Sequence, residues 1–181
     1  MHGRATVEST LKGADADGCS TGSETRSNPR EQPMMMTTTT PAATAASCYP
    51  FRDVVTTEDE LRAIVGEPGE TAIRKQLPKL DGHCRAFVAR SPFVLLATAN
   101  ARGDCDVSPR GDGPGFVLVL DDRTLLIPDR PGNKRVDCFL NVLENPHAGL
   151  LFVVPNVEET LRVNGRARLI RDPELLERLT V

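Results

Sequence analysis

Two textures of hydrophobic and polar patterning divide this chain. From Met1 to Ser47 the only large aliphatic side chains besides methionine are Val7 and Leu11, aromatic residues are absent, and the stretch closes in MMMTTTTPAATAAS. Such a segment cannot bury enough apolar area to offset its ordering entropy, so 1–47 is expected to be a disordered low-complexity tail. From Tyr49 onward apolar residues recur at regular spacings. A folded domain is therefore expected over 48–181.

Helical spacing comes first within it. Thr57 and Glu60 form a capping-box pattern ahead of LRAIV, and Gly66 supplies a stop, which predicts a helix over 58–65. TAIRKQL is a second helical stretch before Pro78. In DGHCRAFVARS, Cys84, Phe87, Val88 and Ser91 share one helical face, with Asp81 as the N-cap. The pattern then turns to strands: FVLLATA (93–99), CDVS, FVLVL (116–120), TLLI (124–127), GLLFVV (149–154) and TLRVNGRARLI (160–170), most separated by turn residues. Asp121-Asp122 predicts a tight hairpin. One helix interrupts the strands over 134–143, where Val136, Phe139, Leu140 and Leu143 form one stripe that ends at Asn145-Pro146. DPELLERL closes the chain with Asp172 as N-cap and Pro173 at the first helical position. Asn164-Gly165 reads either as a hairpin turn or as a bend within one long strand.

Short strands with one internal helix predict a mainly β, α+β fold: an antiparallel sheet curled into a small barrel, with flanking short helices behind the disordered tail. This strand count leaves a sheet edge open, so the domain is expected to be C-terminally incomplete.

Charge and cysteine content narrow the class. A formal net charge of -3 gives no basic surplus to track a nucleic-acid backbone. The five cysteines are dispersed and form no C-x-x-C pair, as expected in a reducing cytoplasm. No apolar run is long enough to span a membrane, and the start carries no secretory pattern.

Two segments carry candidate chemistry. SPRGDGPGF (108–116) and IPDRPGNKR (127–135) each set cations into glycine-bearing backbone beside apolar strands. A glycine-bearing turn that feeds a helix N-terminus is an anion site, because free N–H groups and the helix dipole point to one place. Lys134 and Arg135 at a helix start would oppose that dipole unless an anion bridged them. Arg110 adds a planar fork suited to phosphate. The competing reading makes both segments solvated loops whose cations pair with Asp112, Asp129 or Asp137. Elsewhere the signals are weaker. His83 and Cys84 would face different directions on a helix, His147 reads as a loop histidine, and Cys138 as a packed thiol. Cys105 has no sequence neighbour to activate it, and no His/Cys spacing fits zinc.

The succession SPRGD, IPDRPGN, NPHAGLLF and ETLRVNGRA resembles the pyridoxamine 5'-phosphate oxidase superfamily, in particular its FMN-dependent branch, over about 51–181. The resemblance implies a six-stranded antiparallel split barrel, a homodimer with two FMN molecules at the subunit interface, and a small-molecule substrate. By position it places Ser108 and Arg110 near the flavin. Ile127, Pro128 and Asp129 would run beside the isoalloxazine with their backbone, and Asn133, Lys134 and Arg135 would meet the phosphate. It also favours the long-strand reading around Asn164. Two departures stand out: residues 131–134 read Pro-Gly-Asn-Lys where the oxidase proper has Gly-Ser-Arg-Lys, and the following C-terminal strand and helix are missing. Vitamin-forming activity is therefore not expected. The expected function is an FMN-binding flavoprotein, an FMN-dependent oxidoreductase. The alternatives are a non-catalytic flavin, haem or deazaflavin binder, or a chain that binds nothing.

Overall fold

The computed structural model describes residues 4–12, 36 and 52–178. Two compact units divide the chain, Gly18–Glu70 and the remainder. The first contains helix α1 (Glu58–Val65), which carries the expected capping box: the Thr57 side chain accepts from the Glu60 N–H and Glu60 reaches back to the N-cap backbone. Gly66, at φ 74°, ends it.

The short helix α2 (Glu70–Arg74) starts at the last residue of the first unit, and α3 (Gly82–Arg90) belongs to the second. Asp81 caps α3 as expected, its carboxylate accepting from the Cys84 N–H at 2.8 Å. The strands follow as β2 (Phe93–Ala99), β3 (Cys105–Gly111), β4 (Leu118–Val119) and β5 (Thr124–Ile127). Helix α4 (Asp137–Glu144), β6 (His147–Val153), β7 (Thr160–Ile170) and α5 (Pro173–Arg178) complete the order. Within the segment expected to be a tail, Arg4–Lys12 forms strand β1. Its alternation of Ala5, Val7 and Leu11 with polar residues suits a strand once two ladders receive it. The rest of that segment lies outside the described residues, Met36 excepted.

Among the described residues seven strands form one antiparallel sheet in the order β3-β2-β6-β7-β1-β5-β4. β1 lies between β7 and β5 and pairs with both. Val94 of β2 and Leu125 of β5 have three strands between them yet share one buried cluster with Leu150, Phe152, Leu161 and Val163, so the sheet curls around a common core. Val88 of α3 and Cys138 and Val142 of α4 complete that core. β3 and β4 are its two unpaired edges, which makes the barrel split.

Local departures from expectation have physical causes. β7 runs unbroken through Asn164-Gly165, because both sides of the dipeptide stay paired with β6. Gly149 lies opposite and gives Asn164 room: a Cβ there would stand 3.2 Å from its Oδ1. β3 continues from CDVS through Ser108-Pro109-Arg110-Gly111, and Pro109 is tolerated because β3 is an edge. FVLVL shrinks to two ladder residues, since Gly115 at φ 79° turns the chain against α3, where a Cβ would meet the Ala89 carbonyl at 3.1 Å. α4 starts at Asp137 instead of 134, and three of the four stripe residues face outward: Val136, Leu140 and Leu143 are exposed, Phe139 is partly buried against the core, and Cys138 and Val142 are buried. Its inner face is fixed by an Asn141 side-chain hydrogen bond to Thr98 at 3.1 Å. His147 opens β6 instead of lying in a loop.

Candidate functional site

The two segments singled out for chemistry meet at the β3 edge, where they frame a cleft of about 880 Å³. β3 delivers Ser108 and Arg110 to one wall. The loop from β5 to α4 delivers Asp129, Asn133, Lys134 and Arg135 to the other. Ile127 and Pro128 are buried and do not line the cleft. Asp106, Val107, Val136 and Phe139 also line it; nothing local in the sequence marks them, because the contacts that bring them there are long-range.

Three of the four cleft-wall cations are already paired. Arg110 donates from Nη1 to Asp129 Oδ1 at 3.0 Å and from Nη2 to Cys138 Sγ at 2.9 Å, and its guanidinium lies 5.1 Å from the centre of the Phe139 ring. Arg130 meets Asp112 at 2.7 Å and Arg135 meets Asp137 at 2.9 Å. The acidic partners are the ones the solvated-loop reading named. Lys134 lines the cleft with no ion pair or hydrogen bond to any described residue. Its expected neighbourhood changes too: Lys134 and Arg135 precede α4 instead of occupying its first turn, so their conflict with the dipole is smaller than a start at 134 implied.

The backbone supplies what the side chains do not. Lys134 at φ 63° and Val136 at φ 48° are both left-handed, on either side of Arg135. A left-handed β-branched residue is strained by about 1 to 3 kcal/mol, and such strain collects at functional sites. Val136 is also the N-cap of α4 and offers no side-chain acceptor. The first-turn N–H groups of Asp137 and Cys138, which no helix pairs internally, thus receive no cap from the Val136 side chain, and both residues line the cleft. Alternating left-handed backbone ahead of a bare helix N-terminus is an anion-binding arrangement.

Burial pushes the Cys138 thiol up against the opposing pull of Arg110, so it stays protonated near neutral pH. The Gly113 N–H, then Arg130, holds the Asp112 carboxyl below the usual carboxylate range. Away from the cleft, burial raises the Cys84 thiol to about 11, which removes the His83–Cys84 pair from consideration as a nucleophile. No group of His, Cys, Asp and Glu among the described residues could hold a metal ion. No described helix is long and apolar enough to cross a membrane. A second hollow of about 710 Å³ lies over Ala97, Gly149 and Asn164 on the outer sheet face.

None of the curated proteins and none of the solved structures matches the chain significantly. The family model described as pyridoxamine 5'-phosphate oxidase matches residues 80–181, more than half of the chain and all of the strands from β2 to β7 together with the whole cleft. Six of the seven strands and the cleft lie within the family match, and the chain belongs to the pyridoxamine 5'-phosphate oxidase family, a class of flavin-binding split barrels.

Proposed function

We propose that the cleft binds FMN and that the protein is an FMN-dependent oxidoreductase acting on a small molecule in the cytoplasm. The observation that carries this reading is the strained, uncapped entry to α4 with Lys134 beside it. The FMN phosphate would be met there by Lys134 and by the N–H groups of Asp137 and Cys138. Asn133 shapes the same turn, its Oδ1 accepting from the Arg135 N–H at 3.1 Å. Ser108, Arg110 and Asp129 would line the flavin side of the cleft, and the backbone leading from Ile127 and Pro128 would support it. When bound, the flavin supplies hydride or electron transfer; the protein supplies orientation and electrostatics.

A homodimer belongs to this reading. Val107, Val136, Leu140 and Leu143 are exposed apolar side chains on and beside the cleft wall, and a second copy laid over them would shield the flavin ring from water.

Titration of purified protein with FMN, followed by flavin fluorescence, tests the proposal. Lys134→Ala is expected to weaken binding about ten- to a hundredfold, the loss of one charged phosphate contact of about 1.5 to 3 kcal/mol. Inorganic phosphate should compete. A folded protein that ignores FMN, or a Lys134→Ala variant that binds it equally well, would refute the assignment. Oxidation of reduced nicotinamide above the rate of free flavin separates an oxidoreductase from a non-catalytic holder.

A further inference from the structure

The walls of the cleft are joined by two ion pairs of opposite sense. Arg110 and Asp112, at the end of β3, face Asp129 and Arg130, at the end of β5. Positive then negative on one wall meets negative then positive on the other, across sequence separations of 19 and 18 residues. Sliding residues 129–130 by one position would set Arg110 against Arg130 or Asp112 against Asp129, so the pairs favour the arrangement seen.

Each side is anchored further. The Asp112 N–H donates to the Pro92 carbonyl at 3.1 Å, and its carboxylate accepts from the Gly113 N–H at 2.8 Å, so Arg130 grips a fixed point. Arg110 reaches past Asp129 to Cys138 and Phe139 in the first turn of α4. Residues 131–136, which hold both left-handed positions, are thus held at both ends by the end of β3. The Arg110–Asp129 pair is about four-fifths shielded from solvent, whereas the Asp112–Arg130 pair is more open.

We infer that these four residues form a clasp that positions the anion-binding turn, and that Asp112 and Arg130 are positioning residues for it. Arg110 serves the clasp instead of gripping the phosphate, which leaves that charge to Lys134. The inference rests on the anion-site reading for its effect on affinity, but the ordering of 131–138 stands by itself.

The sign of one substitution separates positioning from simple charge. Asp112→Asn removes a negative charge near an anion site, so Coulomb's law alone predicts tighter binding. A clasp predicts weaker binding, because the turn loses its fixed shape. Amide hydrogen exchange of 131–138 in ligand-free protein, with FMN and inorganic phosphate titrations alongside, reads both. Expected are several-fold faster exchange in that segment and several-fold weaker binding for Asp112→Asn. In an Arg130→Gln background, Asp112→Asn should add no further change, since the clasp is already open. Lys79→Ala, which breaks the distant Lys79–Asp122 pair, should leave both readings unchanged. Unaltered exchange in Asp112→Asn, or tighter binding, overturns the clasp. If the wild type binds neither FMN nor phosphate, the cofactor reading fails, and the exchange comparison still decides the clasp.

Discussion

Val136 concentrates the tension between stability and site shape. A valine at φ 48° and ψ 20° pays for its Cβ, and with the side chain half out in solvent little packing offsets that cost. Val136→Gly is expected to raise stability by about 1 kcal/mol, a gain of roughly 3 to 5 °C in Tm, because glycine enters this region without strain. Thermal unfolding checks this. A fall in Tm would mean that the side chain contributes more through packing than the backbone loses in strain. The residues of the cleft were readable as residue types: cations, acids and glycines crowd 108–116 and 127–135. Which of the named acids each cation takes was not, because Arg110 chooses between Asp112, two positions away, and Asp129, nineteen away, by the geometry of β3 and the following loop.

Helices and strands differed in how far local signals carried. α1, α3 and α5 begin where their caps predicted, since a cap is a contact within four residues of sequence. α4 has no such cap, and its start and facing both moved: a helix with apolar residues on most sides is oriented by what the sheet offers, here Thr98 to Asn141. The α3 cap gives a pH-dependent prediction. The Cys84 N–H, before any other cause, holds the Asp81 carboxyl below its usual range, so the folded-state pKa lies beneath the unfolded one. Its contribution is therefore present above about pH 4 and is lost as pH falls through the folded value. Asp81→Ala should cost about 1 kcal/mol near neutral pH, and denaturant melts of the two proteins should converge in acid. A gap that stays constant into acid would show that the charge of Asp81 does not matter.

For the molecule as a whole, the outward stripe on α4 bears on association. If the exposed Leu140 and Leu143 belong to a homodimer interface, Leu140→Glu with Leu143→Glu should yield monomers with an unchanged fold, because neither side chain is part of the core. Light scattering coupled to size exclusion, with far-ultraviolet circular dichroism as the fold control, measures this. A wild type that is already monomeric would rule out the dimer. The sheet also links β7 to β5 through Arg4–Lys12, which lies in a stretch poor in apolar residues and pairs with both strands.

Period-two and period-3.6 patterning, caps and turn residues were enough to read from the chain alone the antiparallel β architecture, the places of most elements and the two segments that frame the cleft. Those features depend on interactions a few residues long. Which charges pair, which face of α4 is buried, how far β3 runs and what fills the gap between β7 and β5 depend on contacts between segments tens of residues or more apart. They were set only when the curled sheet brought those segments together, leaving Lys134 beside a bare helix end as the cleft cation without a partner among the described residues.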